Sequence, residues 1–89
     1  MARMQKEVIV KNAQGLHARP AALFVQIASK YNSNITIRKG DERINGKSIM
    51  GLLTLGAQKD TKLILEIDGD DAQVMFVELE KLLTKEDIL

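Results

Sequence analysis

The chemistry that this sequence offers gathers at one residue. His17 is the only histidine in the 89-residue chain, which has no cysteine, and it stands in the run Gly15-Leu16-His17-Ala18-Arg19-Pro20. A lone histidine is more often a surface or packing residue than a reactive one, but its neighbours here point the other way. A helix is expected from Ala18, which puts the imidazole at the helix N-terminus beside the unpaired amides of Ala18 and Arg19. The positive end of the helix opposes a further positive charge on the ring. That leaves a neutral, nucleophilic nitrogen, and the same field attracts an incoming phosphoryl group. Arg19 adds a planar guanidinium able to pair with phosphate oxygens. Pro20 stiffens the first turn, and Gly15, free to adopt a positive φ, lets the loop turn sharply and leave the imidazole exposed.

A hydrolase would need a water-excluding pocket, a general base and donors for developing charge. With no second His and no Cys, the residues describe a nucleophile without an active-site cleft. That suits a stoichiometric carrier better than an enzyme. A small acyl-phosphate hydrolase is the weaker alternative. No cofactor is implied.

The elements that must position His17 follow from periodicity. Gln5 to Lys11 is short and β-branched, and Asn12-Ala13-Gln14-Gly15 breaks it with turn residues. Ala18 to Tyr31 repeats Phe24, Ile27, Ala28 and Tyr31 at helical spacing. Ile35 and Ile37 alternate with Thr36 and Arg38, Gly40-Asp41 turns, and Arg43-Ile44-Asn45 resumes an extended pattern, predicting a hairpin. Ser48 is a good N-cap for the short apolar helix Ile49–Leu55, with Gly56 closing it. Thr61 to Ile67 reads as a buried central strand ended by Asp68-Gly69-Asp70. Ala72, Met75, Phe76, Leu79, Leu82 and Leu83 form the stripe of a last helix, with Asp70, Asp71 and Gln73 placed to support its start.

The order β-α-β-β-α-β-α predicts an α+β, open-faced two-layer sandwich: a four-stranded, mostly antiparallel sheet with three helices on one face. A length of 89 residues suits one domain over 1–89. Hydrophobic residues make up 45% and charged residues 28%, so the chain is expected to fold unaided. The formal net charge is only +1, which supplies no field for a phosphodiester backbone, so nucleic acid is not an expected partner. Met1–Glu7 has no signal-peptide core and no apolar run reaches membrane-spanning length, which predicts a cytoplasmic protein without membrane insertion. Nothing requires more than a monomer.

Two stretches carry a resemblance. Gly15-Leu16-His17-Ala18-Arg19-Pro20-Ala21-Ala22 resembles the active-site signature of the HPr family, the histidine-containing phosphocarriers of the bacterial phosphoenolpyruvate-dependent sugar phosphotransferase system. Lys47-Ser48-Ile49-Met50-Gly51-Leu52-Leu53-Thr54-Leu55-Gly56 is similar to that family's second signature. The resemblance implies that phosphorylated enzyme I loads Nδ1 of His17, with Arg19 as phosphate partner, and that enzyme IIA domains unload it. It also implies phosphorylation of Ser48 by an ATP-dependent HPr kinase/phosphorylase. The chain would then regulate carbon or nitrogen metabolism, with a transcriptional regulator among its partners. Arg38-Lys39 and Gly46 depart from the form best known in low-GC Gram-positive relatives, where an aromatic strand end and a larger apolar residue are common.

The short second helix cannot bury all of Ile49, Met50, Leu52, Leu53 and Leu55. Ile49, Met50 and Leu53, with Ala18, Arg19, Pro20 and Ala22, are the expected docking face; burial of the apolar members in the core is the alternative for each. Asp68-Gly69-Asp70-Asp71 lacks the remaining ligands of a calcium loop, so no metal is expected. Gly46-Lys47-Ser48 has only the tail of a nucleotide-binding loop.

Overall fold

A computed structural model describes residues 3–86; Met1 and Ala2 of the N-terminal segment, and Asp87–Leu89, lie outside the described residues. The elements run β1 (Arg3–Ile9), α1 (Ala18–Ala28), β2 (Asn34–Lys39), β3 (Glu42–Asn45), α2 (Ile49–Leu55), β4 (Lys62–Asp68) and α3 (Ala72–Thr84). The strands form one sheet in the order β1-β4-β2-β3. All three pairings are antiparallel, with Val8 opposite Leu63, Ile37 opposite Leu65 and Ile44 opposite Ile37.

Alternation divides the sheet into two faces. Val8, Ile35, Ile37, Leu63, Leu65 and Ile67 point into the core, where they meet Phe24, Leu52, Leu55, Met75, Leu79 and Leu83 from the helices. The opposite face carries Arg38, Arg43 and Glu66. Glu66 sits in mid-sheet, 3.0 Å from Arg43 and 3.7 Å from Arg38. The helices therefore lie on one side and the sandwich is open on the other. No helix among the described residues is long and apolar enough to cross a membrane.

Several expected boundaries shift. The first strand spans Arg3–Ile9 rather than Gln5–Lys11. Val10 N–H still donates to Thr61 O in line with the β4 pairing, but Lys11 N–H turns to Leu83 O of α3. The fourth strand likewise runs Lys62–Asp68 instead of Thr61–Ile67, because Asp68 still pairs with Arg3 and Asn34. The first helix stops at Ala28, not Tyr31. There Lys30 N–H and Tyr31 N–H tighten onto Ile27 O and Ala28 O, as helix ends do when i→i+4 bonding runs out.

Asp71 corrects the reading of α3's start. It is the N-cap residue, yet its carboxylate makes no capping bond. It accepts instead from Asn32 N–H at 2.9 Å, Ser33 N–H at 3.0 Å and the Ser33 hydroxyl, clamping the turn after α1 onto α3. A second clamp joins the same elements: the Tyr31 hydroxyl and the Lys30 ammonium both donate to Glu78.

These contacts have a titration signature. The Ser33 hydroxyl, then the Asn32 amide, hold the Asp71 carboxyl below its ordinary range. The Tyr31 hydroxyl and the Lys30 ammonium lower Glu78, and hydrogen bonding to Glu78 raises Tyr31. A carboxyl that is more acidic when folded stabilises the fold above its unfolded pKa, and that contribution is lost as pH falls through the lowered native value. Replacing Asp71 by Asn should therefore lower the urea midpoint near neutrality. The gap from the parent should close below about pH 4, the ordinary carboxylate range, as urea titrations at several pH values will show.

The loop before α1 depends on Gly15, whose φ is +73°. A Cβ there would lie 2.5 Å from Ala57 O and 2.8 Å from Gln58 Cα, both backbone atoms. Gly15→Ala is expected to cost more than about 1 kcal/mol in denaturant unfolding, through strain and the clash together.

Candidate functional site

His17 is held by what surrounds it and not by its own side chain. The preceding Leu16 is 4% exposed and anchored in the core, while its N–H donates to Ala57 O just beyond α2 at 2.7 Å. The positive φ of Gly15 makes this descent possible. With Leu16 pulled inward, His17 faces solvent at the N-cap of α1, in extended conformation and with no side-chain capping bond. Its carbonyl accepts the first helical bond, from Ala21 N–H.

The helix begins with exposed Ala18 and Arg19 and a buried Pro20. The amides of Ala18 and Arg19 precede the first helical donor, Ala21 N–H, and Pro20 has no N–H to leave unpaired. Arg19 forms no ion pair among the described residues. The imidazole, free amides and an uncommitted guanidinium thus meet at one helix tip. An open depression here is lined by Asn12, Ala13, Gln14, His17, Ala18, Arg19 and Glu86. The depression opens to solvent, and the His17 ring on its wall is exposed.

Ser48 caps α2 as expected, its Oγ accepting from Gly51 N–H at 3.0 Å. Gly56, left-handed with φ 64°, ends the helix. Leu52 and Leu55 enter the core, whereas Ile49, Met50 and Leu53 are 40%, 67% and 38% exposed. The outward apolar members are therefore the ones the sequence reading singled out. Ala22 is half-buried on α1. His17 is not brought together with Ser48: its loop is tied to Ala57, past the far end of α2, and seven helical residues span roughly 10 Å.

Sequence reasoning missed Asn12 and Glu86. Asn12 was read only as a turn residue, yet it is 2% exposed and donates to Leu82 O at 3.0 Å and Lys85 O at 2.6 Å. Glu86 reaches the depression because its own carbonyl accepts from Ala13 N–H. No local pattern signals these contacts, since the partners lie some 70 residues apart in the chain.

Comparisons with known proteins agree with this fold. A family model described as the PTS HPr component phosphorylation site matches residues 4–85. The phosphocarrier protein HPr of Neisseria meningitidis serogroup A is 45% identical over 73 residues, covering 81% of this chain and 82% of that one. The HPr-like protein Crh of Halalkalibacterium halodurans is 42% identical over 83 residues, covering 93% and 99%. Among solved structures, the phosphocarrier protein HPr from Bacillus anthracis superposes with a TM-score of 0.88 at 37% identity, covering 93% and 99% of the two chains. With its order of elements, its sheet topology and the model match all in accord, the chain belongs to the HPr family of phosphotransferase-system phosphocarriers.

Proposed function

We propose that this chain is a cytoplasmic phosphoryl carrier that accepts its group on Nδ1 of His17 from phosphorylated enzyme I and passes it to enzyme IIA domains for sugar uptake. The observation that supports this reading is the exposed imidazole at the tip of α1, beside free amides and an Arg19 without an ion pair among the described residues. Transfer is a displacement at phosphorus. The ring nitrogen forms a new P–N bond as the bond to the donor breaks, and the reverse operation delivers the group to the acceptor. Such a step needs positioning and charge stabilisation more than covalent help from the protein. Arg19 would pair with phosphoryl oxygens, and the Ala18 and Arg19 amides would face the same charge.

The depression around His17 opens to solvent, which favours handover to a docked partner over hydrolysis in a closed cleft. The residues proposed to carry the chemistry, His17, Ala18 and Arg19, are contiguous in one chain, and a monomer is the proposed working state. Ile49, Met50 and Leu53, with Ala18, Arg19, Pro20 and Ala22, would serve as the shared docking surface. Met50 is adaptable enough for several partners.

A second reading is favoured by the likeness to a Crh protein. Phosphorylation of Ser48 by an ATP-dependent HPr kinase/phosphorylase would add about −1.5 to −2 charge at the start of α2. The helix dipole tolerates that charge. Set next to exposed Ile49 and Met50, it would impose a desolvation penalty on docking and switch the chain toward a transcriptional regulator or metabolic enzyme.

With enzyme I and phosphoenolpyruvate, the purified chain should gain one acid-labile phosphoryl group by mass spectrometry; His17→Ala should gain none, and equal labelling of that variant would remove His17 as the acceptor. With the kinase and ATP, an acid-stable label should form and vanish in Ser48→Ala. That variant should also lose about 1 kcal/mol of stability with its cap. A label that survives the substitution would exclude Ser48.

A further inference from the structure

The described residues include two buried polar side chains, Asn12 and Ser33. Ser33 is accounted for by Asp71, whereas Asn12 lies in the wall of the depression that holds His17. Buried amides are expected to satisfy their hydrogen bonds. Asn12 does so on one side alone: Nδ2 donates to Leu82 O and Lys85 O, and Oδ1 has no partner among the described residues. The acceptors lie in the last turn of α3 and its C-cap, where carbonyls run out of regular helical donors; Leu82 O also takes the C-cap Lys85 N–H at 3.4 Å. Backbone bonds from Lys11 N–H to Leu83 O and from Ala13 N–H to Glu86 O flank the carboxamide on either side. Beyond it, Gly15 N–H returns to Asn12 O, and His17 N–H to Gly15 O. The chain from Asn12 to His17 is a series of short hydrogen-bonded turns that links the carboxamide to the residue bearing the imidazole.

We propose that Asn12 is a positioning residue for His17. Its carboxamide clasps the phosphoryl-accepting loop to the C-terminal end of α3 and so sets where the ring and the Ala18 and Arg19 amides meet the phosphoryl group. Two donors on one planar group are needed to span both carbonyls. Of the residues close to this size, Asn supplies them, at the cost of leaving its own oxygen unpaired. Asp would set a carboxylate against the same two carbonyls, and Ala would supply no donor. The inference rests on His17 as phosphoryl acceptor, and its test separates the two ideas.

Single-turnover transfer from phosphorylated enzyme I should be followed for the parent, Asn12→Ala, Asn12→Asp and Ile37→Val. The last removes a buried methyl group from β2, remote from the loop, and controls for stability. The maximal rate of the Asn12 variants should fall about tenfold or more, with half-saturation altered less than about twofold because the apolar docking face is untouched. Nitrogen resonances of the His17 ring and the Ala18 and Arg19 amides should move in the same variants, and Ile37→Val should match the parent in both readouts. Folded Asn12 variants with the parent's maximal rate, a loss confined to half-saturation, or an equal loss in Ile37→Val would overturn the proposal. If Asn12→Asp does not fold, Asn12→Ala decides; if neither folds, Asn12 serves stability alone and the proposal fails. A parent that takes no label on His17 would instead remove the carrier reading, and ring positioning would then stand or fall on the resonances.

Discussion

Leu16 entering the core while His17 stays out is the constraint on which the rest of this molecule turns. Adjacent residues must point in opposite directions at the place where a loop becomes a helix. The fold achieves this with a left-handed Gly15, a backbone bond from Leu16 to Ala57 and a set of bonds from Lys11, Asn12 and Ala13 to the end of α3. The helix tip is thereby held from outside. Its own amides are not consumed in holding it, which is the condition for an anion to use them.

The same economy governs α2. Seven residues offer one inward stripe, taken by Leu52 and Leu55, and leave the remaining apolar side chains in solvent. A Ser48 cap and a Gly56 terminus keep so short a helix in place without demanding that its outer side be covered. Lys47 and Lys39 help from neighbouring segments, donating to Tyr31 O and to Leu55 O at the helix end. The apolar surface that results is a product of helix length as much as of composition.

Distal to the site, α1 and α3 are joined by polar clamps as well as by packing. Asp71 holds the Asn32–Ser33 turn, and Glu78 takes both Lys30 and Tyr31. These bonds act on a helix whose other end carries His17, so the core, the clamps and the Gly15 turn share the task of fixing one exposed ring.

Much of this was legible in the residues, and the limits are physical. The stripe Ala72 to Leu83 and the alternation of Ile35 and Ile37 with Thr36 and Arg38 declare their buried faces because helix and strand periods are local properties. Ser48 and Gly56 declare caps for the same reason, and the Gly15–Pro20 run places His17 at a helix start. What tertiary structure alone decided involves partners distant in sequence. Lys11 leaves β1 because Leu83 O draws its amide, and Asp71 abandons its own helix for Ser33. Asn12, a turn residue by every local criterion, becomes a buried clasp because α3 ends beside it. Local periodicity encodes which side of an element is apolar, but it says nothing about which unpaired carbonyl will arrive next to a given amide; only the folded chain brings those groups within bonding distance.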